Sequence, residues 1–314
     1  MIEVENLSKH YGSSRAIEDL TFDVGRGEIV GFLGPNGAGK TTTMRILTGF
    51  LSASSGKARI AGFDIADDAI EVRRRIGYMP ENNPLPEDMR VADYLNFRGK
   101  LKGLSGRLLR RRSDDVLARC GLDDVRKRVI GHLSKGYRQR VGLADALIHE
   151  PDVIILDEPT IGLDPHQIRS VRKLIRELGE AHTILLSTHI LSEVEMTCSR
   201  VLILHQGSIK ASEDLGHIQS LVSNQADPVQ VEIMGAPEDI RVSLESIPKV
   251  SSVSIHTMDA DYQRCVVHPE GDADLRPPIF DLVKSRPEWQ LRELKKISQT
   301  LEEIFIRVTQ QEEH

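Results

Sequence analysis

Residues Gly34 to Thr42 read GPNGAGKTT, the spacing G-x-x-x-x-G-K-T. Gly34, Pro35, Asn36, Gly37, Ala38 and Gly39 are small or turn-forming, so the backbone can curl until several N–H groups converge on one concavity that grips phosphate oxygens. Lys40 then reaches the β- and γ-phosphates of a nucleotide. The Thr41 hydroxyl is placed to ligate Mg²⁺, and Thr42 closes the stretch. Far downstream, the run Val153-Ile154-Ile155-Leu156 ends in Asp157 and Glu158. Asp157 is positioned to hold Mg²⁺, directly or through water. Glu158 is suited to orient or deprotonate an attacking water. A dinucleotide fold is disfavoured, because its fingerprint G-x-G-x-x-G carries no lysine.

These residues need particular elements to position them. Ile29-Val30-Gly31-Phe32-Leu33 reads as a strand feeding the glycine-rich loop, and a helix starting near Gly39 adds the positive end of its dipole. The apolarity of Val153–Leu156 is continuous, which fits a strand buried on both faces of a mainly parallel sheet whose end opens onto a ligand crevice. Acidic pairs alone usually lie on solvated loops. Behind a buried strand in a chain with a phosphate nest, the catalytic reading is preferred. Residues 1–80 read as short strands leading into the loop and its helix. Val91 to about Ile148 reads as helical, broken at Gly103 to Gly106. Within it, Arg98, Lys100, Lys102, Arg107, Arg110, Arg111 and Arg112 are expected on a solvated helix face, with anionic lipid or an acidic partner as a lesser alternative. The paired prolines and asparagines of Glu81–Glu87 mark an irregular surface loop.

A length of 314 residues leaves room for one large and one small domain. Hydrophobic residues at 39% and charged residues at 28% are ordinary for a globular protein, and a net charge of −6 gives no sign of nucleic-acid binding. Cys120, Cys198 and Cys265 are far apart and odd in number, which suits a reducing compartment and offers no metal spacing. No signal peptide is visible, and no apolar run approaches the roughly 18 residues of a membrane-spanning helix. A membrane role would need a separate chain.

Four further motifs fall in order around these. Tyr11 lies in His10-Tyr11-Gly12. Leu133-Ser134-Lys135-Gly136-Tyr137-Arg138-Gln139-Arg140 and Thr160-Ile161-Gly162-Leu163-Asp164-Pro165 flank the carboxylates, and Ser187-Thr188-His189 follows the apolar run Thr183–Leu186. Together they make the chain resemble the nucleotide-binding subunit of an ATP-binding-cassette (ABC) transporter, closely over residues 1–220. The resemblance implies an α/β fold: a P-loop NTPase ABC ATPase core, with a helical subdomain at about 82–148 and a small α+β C-terminal domain at 221–314. It implies that Tyr11 stacks on adenine, that His189 contacts the γ-phosphate, and that Asp164 lies in the D-loop. Ser134 and Gly136 are implied to touch phosphate through a hydroxyl and an N–H. Two positions depart from the family pattern. Lys135 and Tyr137 stand where glycine and glutamine are usual. Glu81 replaces a glutamine, and both a metal ligand and a hinge remain open for it.

Beyond about Leu221, Val229, Val231 and Ile233 alternate with polar residues, as do Val253 and Ile255, so both stretches read as half-buried strands. Tyr262–His268 reads as a third strand, and Pro277-Pro278 as the opening of a helix bearing Ile279, Phe280, Leu282 and Val283. Thr300 and Glu303 form a capping box for a last helix with a Leu301, Ile304, Phe305, Val308 stripe. This ending resembles the accessory domain of ATPases serving ABC-2-type exporters, including antibiotic-export and gliding-motility ATPases.

The expected activity is ATP hydrolysis in a site shared by two cassettes. The expected partners are a second cassette and a separately encoded polytopic ABC-2-type permease, with the chain peripheral on the cytoplasmic face of the cell membrane. The Glu81–Glu87 loop region is implied to receive the permease's coupling helix. Neither the long coiled coil usual in DNA-repair relatives nor the tandem cassettes usual in translation relatives is visible. The signature at Leu133–Gly136 argues against a P-loop kinase.

Overall fold

The computed structural model describes residues 1–215, 228–258, 262–271 and 273–296. It divides into two compact units, Met1–Leu215 and Gly216–His314. In the first unit β1 (Ile2–Tyr11), β2 (Ser14–Val24), β3 (Ile29–Leu33), α1 (Lys40–Leu47), β4 (Ser55–Ile60), β5 (Phe63–Asp64), α2 (Ala69–Arg75) and β6 (Ile76–Met79) come first. Then follow α3 (Val91–Leu101), α4 (Gly106–Arg119), α5 (Lys135–Leu147), β7 (Val153–Asp157), α6 (Pro165–Gly179), β8 (Thr183–Thr188), α7 (Leu191–Thr197), β9 (Arg200–His205) and β10 (Ser208–Asp214).

A six-stranded sheet in the order β10-β9-β3-β8-β7-β6 forms the frame, parallel except for the β9–β10 pair. Its central strands are continuously apolar because each face meets a different core. Ile154 and Leu156 of β7 face a cluster built with α3 to α6. Val153 and Ile155 face a cluster built with α1 and the antiparallel sheet β2-β1-β4-β5. Full burial of one such Ile or Leu side chain is worth about 1.5–3 kcal/mol. α6 shows why a helix forms where it does. Asp164 caps it by accepting from the N–H groups of His166 and Gln167, Pro165 opens it, and Val171, Leu174, Ile175 and Leu178 line the buried stripe.

The helical stretch expected over 91–148 is α3, α4 and α5, with the break at Gly103–Ser105. The basic run is not uniformly solvated. Arg112 is buried, and its guanidinium donates to the carbonyls of Leu147 and Ile148 at the end of α5. Arg98 pairs with Asp145 at 2.7 Å. The i,i+3/i+4 geometry of α4 turns one arginine of the run inward, where it bonds helix-end carbonyls; Leu147 also accepts from the Glu150 N–H at 2.9 Å, so the Ile148 carbonyl is the one that depends on Arg112. Among the described residues, no helix is long and apolar enough to cross a membrane.

The second unit comprises β11 (Val229–Met234), α8 (Pro237–Glu245), β12 (Val250–Thr257), β13 (Tyr262–Pro269), α9 (Arg276–Lys284) and β14 (Gln290–Lys296). They form an antiparallel sheet of order β12-β13-β11-β14. Val229, Val231, Ile233, Cys265 and Val267 point to one face and pack with Ile240, Leu244, Ile279 and Val283 of the two helices. The alternation reads directly as half-buried strands. β14 carries charges at most of its positions, so it offers no such signal in the sequence. The expected helix over Leu301–Val308 lies outside the described residues.

Candidate active site

Three parallel strands bring the distant motifs together. β8 lies between β3 and β7, with Leu33 opposite Thr188 and Asp157 opposite Ser187. The residues that follow, Gly34, His189 and Glu158, therefore emerge side by side at the carboxyl edge of the sheet, where open α/β folds hold ligands.

The loop after β3 depends on glycine at two points. Gly39 has φ +106°, and a β-carbon there would lie 2.6 Å from Ile17 Cγ2 and 2.7 Å from the Ala16 carbonyl oxygen. A β-carbon on Gly34 would collide with the Leu204 carbonyl oxygen. The Ala38 N–H donates to the Pro35 carbonyl at 3.2 Å and closes the turn. α1 starts at Lys40 with no acidic residue in its first turn, so nothing opposes its free N–H groups as an anion site. Lys40 is buried, and its ammonium donates to the carbonyls of Gly34 (2.8 Å) and Pro35 (3.2 Å) and lies 3.6 Å from Glu158 Oε1. The cation is thus already inside the loop.

Asp157 and Glu158 are both buried. Asp157 Oδ1 accepts from Ser187 Oγ at 2.5 Å and from Thr41 Oγ1 at 3.4 Å, while its Oδ2 is buried without a partner. An orphaned carboxylate oxygen beside a hydroxyl is an incomplete set of hard oxygen donors, which fits Mg²⁺. Among the described residues no cluster of three or more His, Cys, Asp or Glu could hold a metal, so a cation there would draw on Thr41, Asp157 and ligand oxygens. Burial, and secondarily the Asp157 charge, push the Tyr78 phenol up to about 12.

Glu158 adopts φ +49°, unusual for a residue with a β-carbon. Its N–H donates to both the carbonyl (3.1 Å) and the hydroxyl (3.2 Å) of Ser187, which hold the kink. The turn aims its carboxylate back at His189, whose Nδ1 lies 3.0 and 2.9 Å from the two oxygens. His189, for which the resemblance implies a γ-phosphate contact, meets the neighbouring carboxylate through Nδ1.

A cavity of about 320 Å³ is lined by Ala16, Asn36, Gly37, Gly39, Lys40, Thr41, Thr42, Glu81, Glu158 and Ile161. The signature residues do not line it. Ser134 caps α5 by accepting from the Tyr137 N–H at 3.4 Å, and Gly136 packs against the Gln167 side chain. Lys135 lies against Gly162. Asp164 spends its side chain on capping α6. Tyr11, 51% exposed at the end of β1, lines a different cavity of about 530 Å³ together with Arg45, Phe50, Pro80 and Asn82. Sequence reasoning gave no role to Ser187, which holds both Asp157 and the Glu158 backbone. It also passed over Glu193, a buried carboxylate behind the site whose only signal is its place four residues after His189.

The ABC transporter family model matches residues 17–161. A Bacillus subtilis protein described as an uncharacterized ABC transporter ATP-binding protein, YxlF, is 37% identical over 253 residues, which is 81% of this chain and 82% of that protein. The Nod factor export ATP-binding protein I of Burkholderia orbicola is 33% identical over 313 residues, 99% of this chain and 97% of that protein. Among solved structures, the dimeric post-hydrolysis state of the ATP-binding cassette MJ0796 bound to ADP and Pi superimposes with a TM-score of 0.63. It is 26% identical and covers 68% of this chain and 99% of that one. The glycine-rich loop, the paired carboxylates and the histidine thus sit in a fold shared with cassettes that split ATP, and this chain belongs to the ABC transporter family as one of its ATP-hydrolysing, ATP-binding subunits.

Proposed function

We propose that the chain hydrolyses ATP in a site completed by a second cassette, and that this drives export through a separately encoded ABC-2-type permease. The observation that carries the shared site is the lining of the P-loop cavity: Lys40, Thr41, Glu81 and Glu158 are present, and no residue of Leu133–Gln139 is. Ser134 and Gly136 would then come from the opposing chain. A dimeric solved relative supports that reading.

In this reading the α1 N–H groups and Lys40 hold the phosphates, and Glu158 accepts the proton of the attacking water, held in line by His189. Thr41 and Asp157 would hold Mg²⁺, which when bound neutralises charge on the phosphates. Tyr11, exposed at the end of β1 and outside the lining of the phosphate cavity, would stack on the base. Asp164 acts by setting the start of α6 beside the signature. Glu81 lines the phosphate cavity and so brings a further carboxylate to it.

Export is supported by a relative named for Nod factor export that matches along nearly its whole length. The exposed Phe50 and the neighbouring Asn82–Pro84 segment suit a helix of a membrane partner. We place the chain on the cytoplasmic face of the membrane, with residues 1–220 as the cassette and 221–314 as an accessory domain.

Mixed variants test the shared site. Lys40→Ala and Ser134→Arg should each abolish hydrolysis alone, whereas mixing the two chains should restore it, because one composite site then has an intact loop and an intact signature. Full activity of either variant alone, or no recovery in a verified mixed dimer, would sink the shared site. Purification of the tagged chain from detergent-solubilised membranes should recover a polytopic membrane protein; ribosomes or DNA in its place would overturn the transport reading.

A further inference from the structure

Glu193 lies on α7, is 2% exposed, and lines none of the cavities around the nucleotide loop. Its two oxygens accept from two threonine hydroxyls: Thr160 Oγ1 at 2.5 Å and Thr188 Oγ1 at 2.9 Å. Neither donor is a cation. A carboxylate buried between neutral donors is costly, and stability alone would favour an apolar side chain in the same space.

The identity of the two threonines gives the cost a use. Thr160 stands two residues beyond Glu158, and Thr188 stands directly before His189. Thr188 Oγ1 also accepts from the Ile190 N–H at 3.0 Å, which fixes the backbone on the far side of His189. Glu158 and His189 touch each other in front. The chain therefore closes a ring: Glu158, Thr160, Glu193, Thr188, His189 and back to Glu158. Both Thr160 and Thr188 are buried, so the ring is tied from behind by groups with no competing water.

We propose that Glu193 is a positioning residue for ATP hydrolysis, a carboxylate clamp that holds the Glu158 base and His189 in mutual register and ties both to the Thr160–Pro165 loop. It touches no substrate. Its effect passes through the strained backbone at Glu158, whose φ of +49° persists only while the surrounding segments hold it. The proposal rests on the reading of Glu158 as base.

Steady-state hydrolysis by the full chain tests it. Glu193→Leu fills the space and accepts nothing. It should lower kcat by about tenfold or more while KM for ATP stays within about threefold, the signature of lost transition-state positioning. Glu193→Gln can still bond both hydroxyls, since each can donate or accept, and should stay within about threefold of the parent kcat. Parent kcat in folded Glu193→Leu, or a raised KM with kcat unchanged, would overturn the clamp. Should Glu193→Leu fail to fold, Thr160→Val removes one donor at constant volume and should lower kcat by about threefold at constant KM; parent kcat there would overturn the proposal as well. If Glu158→Gln hydrolyses ATP normally, the underlying base assignment is what has failed. If Glu158→Gln is dead and Glu193→Leu is not, only the clamp has.

Discussion

The imidazole of His189 and the carboxylate of Glu158 meet at 2.9 and 3.0 Å, and Lys40 approaches the same carboxylate at 3.6 Å. Glu158 is therefore held between the histidine that follows β8 and the lysine that follows β3. A third constraint is its own left-handed backbone, pinned by Ser187. A carboxylate under these three restraints loses little freedom on reaching a water at the phosphate, which suits the general base we propose.

Glu158→Gln keeps the size and the backbone and removes the proposed proton acceptor. Turnover should fall by about 100-fold or more, the range spanned by general-base losses. ATP affinity should hold, and ATP-bound dimer should accumulate, because the chain can still close on ATP but not open by hydrolysis. Phosphate release together with size-exclusion chromatography in ATP checks both halves. Unchanged turnover would remove the base assignment.

Lys40 already donates to the Gly34 and Pro35 carbonyls, so its ammonium is poised where phosphate oxygens would arrive. Lys40→Ala removes a charge-assisted bond worth about 1.5–3 kcal/mol. It should therefore weaken ATP binding by roughly tenfold to a hundredfold. Titration with a fluorescent ATP analogue measures this, and parent affinity in the variant would remove the phosphate-cradle reading.

The loop, the two carboxylates and their strands were legible because each rests on local chemistry: glycine where a β-carbon cannot fit, and apolar runs where both faces are buried. What could not be read is what depends on register across strands. Ser187 serves Asp157 only because β8 lies beside β7, and Glu193 reaches Thr160 only because α7 packs behind the D-loop. Nothing in the local sequence marks such pairings. Arg112 belongs with these: its neighbours in the basic run look the same in sequence, and only the helix phase of α4 sends it inward.

Arg112 and Arg111 make a matched contrast. Arg112 is 9% exposed and donates to two carbonyls at the end of α5, whereas Arg111 is exposed. Arg112→Ala takes the donor from the Ile148 carbonyl, while the Leu147 carbonyl keeps the Glu150 N–H at 2.9 Å, and should destabilise the first unit by about 2 kcal/mol. Arg111→Ala should stay within about 0.5 kcal/mol. Denaturation must be followed by circular dichroism, because Trp289, the chain's one tryptophan, lies in the second unit and reports on that unit. Equal effects of the two substitutions would contradict the inward-facing role.

His149 makes the stability of the first unit depend on pH. Its Nε2 lies 3.0 Å from the Ile76 carbonyl oxygen and its Nδ1 is buried without a partner. Burial first, then the charge of Lys102, lowers its pKa to about 4 from 6.5, with Arg112 and Arg98 pushing the same way. Between these values the unfolded chain binds a proton that the folded chain refuses, so folding stability rises with pH across that window and falls as the solution is acidified. Going from about pH 7.5 to about pH 5 should cost on the order of 2 kcal/mol from this group alone. His149→Gln has no such proton to take up. Its denaturation midpoint should therefore change less than the parent's over the same interval, while the two proteins respond alike above about pH 7.5, where histidine is neutral in both states. Identical acid sensitivity in parent and variant would show that the loss arises at other groups and that His149 is not held neutral by its surroundings.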